Sequence, residues 1–149
     1  MSASNAFEND VLLLIFNNTD IANVGDAAGL QNSAAAGSLY VSLHTADPAE
    51  TGTQSTNETT YTGYARVAVA RSGAGWTVSG TAPTQVVNAA IVTFGTSTVG
   101  TPTITHFGVG LEASGATRLA FSGVLDNPQV INIGGANTFA AGALKVTVD

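Results

Sequence analysis

A chain of 149 residues in which 9% of the side chains are charged, none is cysteine and two are histidine leaves few groups for covalent, acid–base or metal chemistry. The net charge of −6 opposes nucleic-acid binding, which depends on clustered lysine and arginine releasing counterions from phosphates, and here Arg66, Arg71, Arg118 and Lys145 are scattered. The length is that of one domain, and a chain so poor in charge yet positive in mean hydropathy is expected to hide surface against other subunits.

Ala6 to Phe16 reads as a short helix. Asn5 followed by Glu8 has capping-box spacing, and Phe7, Val11, Leu14 and Ile15 recur at helical intervals. A helix this short does not hold itself in water, so that stripe must lie on its own domain or in a neighbouring subunit. The apolar run Val11 to Phe16 is too short to cross a bilayer and follows Glu8 and Asp10 rather than cations, so neither a membrane span nor a signal peptide is expected. From Asn17 to Ser38 the sequence has no sustained period and reads as a loop with one helical turn near Asp26 to Leu30.

Leu39 to Thr45 alternates apolar (Leu39, Val41, Leu43) with polar (Tyr40, Ser42, His44), the pattern of a half-buried strand, and Tyr64 to Arg71 repeats it. Between them, 46–63 carries Pro48, glycines, threonines and the acids Asp47, Glu50 and Glu58, and reads as a solvated contact loop longer than most connections. Further strands are predicted at Trp76–Ser79, Ile91–Phe94, Ile104–Leu111, Arg118–Leu125, Gln129–Ile133 and Ala143–Val148, with turns at the glycine clusters and at Asn127-Pro128. This predicts a mainly β chain, an antiparallel sandwich or barrel with a short N-terminal α-helix. It is read as one domain, 1–149, with a helix and arm over 1–37 and a β domain over 38–149. The expected core comprises Leu39, Val41, Leu43, Val67, Val69, Trp76, Val78, Ile91, Phe94, Phe107, Val109, Leu119, Phe121, Leu125, Leu144 and Val146.

No catalytic, cofactor or metal residues are expected. His44 and His106 lack HxH or HExxH spacing, and a triad built from a serine, a histidine and Asp47 has no GxSxG elbow around it. The loop acids lack the oxygen ladder of a calcium site. Gly108 and Gly110 in FGVG have no helix after them and are expected to relieve crowding under neighbouring side chains. The residues expected to touch partners are Phe7, Val11, Leu14, Ile15, Asp47, Pro48, Glu50, Glu58 and Tyr61.

From end to end the motif order resembles a family of small virion proteins of tailed bacteriophages. The carriers are FENDVL at Phe7–Leu12, LYVSLHTADP at Leu39–Pro48, YARVAVAR, THFGVG at Thr105–Gly110, the Ala113–Gly115 turn and the closing FAAGALKVTVD. Members are labelled tail-fibre-like or virion structural, so the resemblance implies a non-enzymatic virion component assembled in the host cytoplasm. The helix, the long loop, the acidic surface and the lack of a heptad or shaft repeat favour a capsid decoration (cement) protein, bound multivalently to the major capsid protein and to copies of itself, with a trimer favoured by analogy. The competing expectation is a tail or tail-fibre component, with a host-glycan-binding module as one form of it. No membrane partner is expected.

Overall fold

The structure, a computed structural model, describes residues 3–80 and 84–148. Met1, Ser2 and Asp149, counted above in the arm and the closing motif, lie outside these. The chain is mainly β, with antiparallel sheets and one short N-terminal helix, as the alternation predicts. Packing gathers it into two compact units. The first draws on the chain up to Ser38, Ala70 to Ile91 and Ala140 onward; the second on Leu39 to Val69 and Val92 to Phe139.

In the first unit, helix α1 spans Asn5–Asn17 and is capped by Ser4, whose Oγ accepts from the Phe7 N–H at 3.4 Å. The cap thus lies one residue before the predicted Asn5, which moves Glu8 past the capping-box position. Glu8 is instead buried in the first turn, where a carboxylate suits the helix dipole. Asn18 ends the helix in the left-handed region at φ 57°, and the Thr19 N–H folds back to the Leu13 carbonyl.

The buried stripe is Glu8, Leu12 and Phe16. The predicted stripe lies beside it: Val11, Leu14 and Ile15 are half-buried and Phe7 is exposed. Phe16 meets Trp76 edge-on at 4.9 Å, and both are fully buried. Trp76 opens β3 (Trp76–Ser79), which pairs with β4 (Thr84–Asn88), itself paired with β9 (Lys145–Val148); α1 packs on β3 and β4. Sequence reasoning missed β4 because two of its three inward positions are polar, Thr84 and Asn88. Asn88 is buried without cost in hydrogen bonds: its amide donates to the Ala90 and Ala140 carbonyls at 2.8 Å each, and its carbonyl oxygen accepts from Leu144 N–H at 2.8 Å.

The helical turn expected near Asp26–Leu30 is absent. Ile21 and Leu30 exchange two backbone bonds instead, and Asp26 Oδ1 closes the loop by accepting from the N–H groups of Ala28 and Gly29. An aspartate side chain that mimics a backbone acceptor makes a turn as readily as a helix start.

The second unit holds the main sheet, in the order β2-β1-β6-β7 from β2 (Val67–Ala70), β1 (Ser38–His44), β6 (Thr103–Gly110) and β7 (Leu119–Val130). Val41 faces Val109 and Leu43 faces Phe107; on the opposite side Ser42 faces Gly108 and His44 faces His106. Two-residue strands β5 (Val92–Thr93) and β8 (Thr138–Phe139) pair separately, and Phe139 sets its ring edge-on to Phe94 and Phe107. That pairing begins at Val92, so Val92 and Phe94 point inward and Ile91, expected in the core, is 64% exposed.

Strand β7 runs continuously where two strands and an Asn127-Pro128 turn were expected. The ladder pairs Ile104 with Gln129 but His106 with Val124, so 125–128 bulge opposite a single residue. Proline is tolerated there because β7 is the edge of its sheet and the bulge needs no N–H from it.

Candidate functional site

The sequence presents β1 as half-buried, yet Ser42 and His44 are as deeply buried as Val41 and Leu43. The cause is the 46–63 segment, which is not a free arm but folds back over the polar face of the sheet. Gln54, fully buried, donates from Nε2 to the Tyr40 carbonyl at 2.8 Å, and its own N–H reaches the Thr117 carbonyl at 2.8 Å. A Cβ on Gly110 would come within 2.0 Å of Gln54 Oε1, and one on Gly108 within 2.7 Å of His44 Nε2. These glycines make room for the covering side chains, as expected from FGVG.

Arg66 holds this layer together. Its Nε and Nη2 clamp Glu58 Oε1 and Oε2 at 2.7 Å each; Nη1 donates to Gln54 Oε1 and the Glu112 carbonyl, and Nη2 to Ser55 Oγ and the Gly115 carbonyl. Tyr64 completes the set, donating its hydroxyl to Glu58 Oε1 at 2.7 Å and accepting from the Leu43 N–H. Burial pushes the Tyr64 phenol well above its ordinary range, and the Glu58 partnership holds the Arg66 guanidinium even more firmly charged. One arginine thus fixes three separate stretches: the long loop, the Glu112–Gly115 turn and the start of β2.

His44 ties the same loop from below. Its Nδ1 lies 2.8 Å from the Thr56 carbonyl, which only accepts, so Nδ1 carries the hydrogen and Nε2 accepts from Ser42 Oγ at 2.9 Å. This serine–histidine pair, not singled out from sequence, is fully buried and has a carbonyl rather than a carboxylate as its third member. Asp47, considered for a triad, instead caps the Ala49 N–H at 2.9 Å. Among the described residues no group of three histidine, aspartate or glutamate side chains is placed to hold a metal.

Burial lowers the His44 pKa; the Thr56 bond and Glu58 oppose this, and Arg66 and His106 add to it. The unfolded chain therefore binds this proton first, near pH ~6.5. The stability due to a neutral His44 is present above that pH and is lost as pH falls toward the folded-state pKa. The urea midpoint is expected to drop between about pH 7.5 and 5.5, and His44→Gln to flatten that drop. An equal slope in both proteins would remove His44 as its source.

The residues expected to touch partners have mixed placements. Glu58 and Tyr61 are engaged inside the unit, Tyr61 through its hydroxyl on the Gly95 carbonyl at 2.9 Å. Pro48 is buried, whereas Asp47 and Glu50 are exposed at the loop tip, and Phe7 is exposed on α1. The large apolar side chains most open to solvent in the second unit were not predicted: Val99, Val124, Val130 and Ile133, each more than half exposed.

A mainly β chain with a cross-braced loop, an inaccessible histidine and uncharged apolar projections is built as a structural protein. The family model described as "Podophage GP4 fiber I protein gp80" matches residues 2–147, and the chain belongs to that family of phage fibre proteins. No curated protein matched the chain. The family supports a structural role in the phage virion, in keeping with the resemblance seen in the motifs.

Proposed function

We propose that this chain is a non-enzymatic fibre component of a phage particle, which works by presenting a braced, sparsely charged β surface to copies of itself and to neighbouring virion subunits. The observation that carries the reading is the family match along nearly the whole chain to a fibre protein. The architecture supports it. The 46–63 segment, expected as a solvated contact loop, is pinned at Gln54, Thr56 and Glu58, so this part of the surface is preformed and loses little entropy on assembly. A hydrolase built on Ser42 and His44 finds no support, since neither has exposed surface.

The fibre reading takes precedence over capsid cement because the matching family is described as a fibre protein, whereas the cement expectation drew on the helix, the long loop, the acidic surface and the lack of a heptad or shaft repeat, features that a fibre component can share. Cryo-EM of intact particles with the protein tagged at a terminus tests the placement. Tag density on the tail apparatus is the expected result; density spread over the capsid shell would overturn it in favour of cement.

A further inference from the structure

We infer that one end of the second unit, formed by Val99, Val130, Ile133 and the hollow beside Val99, is a self-complementary contact between copies of this chain. The inference rests on the reading of the chain as a multi-copy virion component and names the surface that joins the copies.

Two turns build the projecting part. Asn132 to Gly135 closes through the Gly135 N–H on the Asn132 carbonyl, with Gly134 at φ 84°, and places Ile133 at its tip. Ser97 to Gly100 is closed by Ser97 Oγ on the Gly100 carbonyl and carries Val99. The turns lock to each other through Ser97 N–H to Gly135 O and Gly134 N–H to Ser97 O, both 2.8 Å. Turn tips are ordinarily polar or glycine, yet Ile133 is 65% exposed and Val99 63% exposed. Bonded turns hold these side chains rigidly out in water, at a cost that contact with a partner removes.

The receiving part adjoins it. Val99 to Pro102 form one wall of a hollow of about 530 Å³, and Thr59 to Thr62 form the other. The walls are joined by the Thr62 N–H on Val99 O and the Thr98 N–H on Thr62 O. Knob and hollow therefore share Val99, the arrangement that lets one patch serve both sides of a contact between identical copies. The Thr59 hydroxyl, in a residue 3% exposed, has no hydrogen-bond partner among the described residues.

The absence of charge at this end suits a second copy as the occupant. Two molecules of net charge −6 repel wherever their acids meet, but 95–104 and 129–138 contain no Asp, Glu, Lys, Arg or His. The one carboxylate in the hollow, Glu58, has both oxygens bound by Arg66. At this end like meets like without repulsion.

Sedimentation equilibrium of the purified full chain tests the contact. The wild type is expected to associate, and Ile133→Asp and Val99→Asp, each in an exposed turn, to raise the dissociation constant at least about tenfold. Ile91→Asp, a comparably exposed site outside the patch, should leave it unchanged. Because the protein has no cysteine, a second measurement is clean: chains carrying Ile133→Cys and Thr60→Cys, mixed under oxidation, should yield a disulfide-linked heterodimer. A wild type that stays monomeric, aspartate variants that associate normally, or the absence of the heterodimer would each overturn the inference. None of these results alters where the tagged protein sits on the particle, so the fibre reading stands or falls separately.

Discussion

Arg66→Ala is expected to destabilise the protein by about 3–5 kcal/mol, the usual cost of removing one partner from a buried ion pair. The Arg66 side chain is 3% exposed and that of Glu58 13% exposed, so alanine would leave a carboxylate in a poorly hydrated place with only Tyr64 to satisfy it. It would also strip Gln54 Oε1, Ser55 Oγ and the carbonyls of Glu112 and Gly115 of a donor. The loss should be local before it is global. Amide exchange is expected to rise first over 53–60 and 112–117, since these stretches are held to each other through the guanidinium. Urea unfolding measures the total, and the double variant Arg66→Met/Glu58→Leu should recover part of it, because two apolar groups leave no stranded charge. A single variant with wild-type stability and unchanged exchange would show that the backbone bonds alone hold the loop.

Trp76→Ala is expected to cost about 3–5 kcal/mol and to release α1. Trp76 is fully buried against Phe16, and α1, whose Leu12 and Phe16 are buried, packs on β3 and β4. A helix of 13 residues does not persist in water once its docking face is lost. Far-UV circular dichroism should therefore lose its helical component at temperatures where the β signal survives. Arg71 strengthens the coupling: its guanidinium donates to the Leu14 and Ile15 carbonyls at 2.8 and 2.7 Å and to Ala36 O at 3.1 Å, filling acceptors left open at the helix C-terminus. If helicity survives in Trp76→Ala, those bonds rather than the aromatic pair dock the helix.

Both predictions turn on arginines and aromatics whose roles were unevenly legible. Alternation located β1, β3 and β6 within a residue of their observed bounds and put Trp76, Leu43 and Val109 in the core, because a period of two has one physical meaning on a sheet with a dry face. The same logic failed where burial was polar. Ser42, His44, Thr84 and Asn88 are all buried; His44, Thr84 and Asn88 bond partners far along the chain (Thr56, Asn5, and Ala140 with Leu144), and Ser42 bonds His44 beneath the folded-back loop. On α1, where the helical period admits several stripes among so many apolar residues, periodicity chose Phe7, Val11, Leu14 and Ile15, while packing chose Leu12 and Phe16. Glu58 and Arg66 are eight residues apart with no helical or strand spacing between them, so their ion pair exists only because the loop turns back.

The amino-acid sequence by itself determined the antiparallel β character, the short leading helix and the phage virion family, since side-chain period and motif order are read directly along the chain. Tertiary structure decided which faces are dry, which charges are spent inside and which apolar side chains remain in water. Those outcomes depend on closing loops across the sheet. Loop closure is set by the sum of contacts between distant residues, and no local pattern carries that sum.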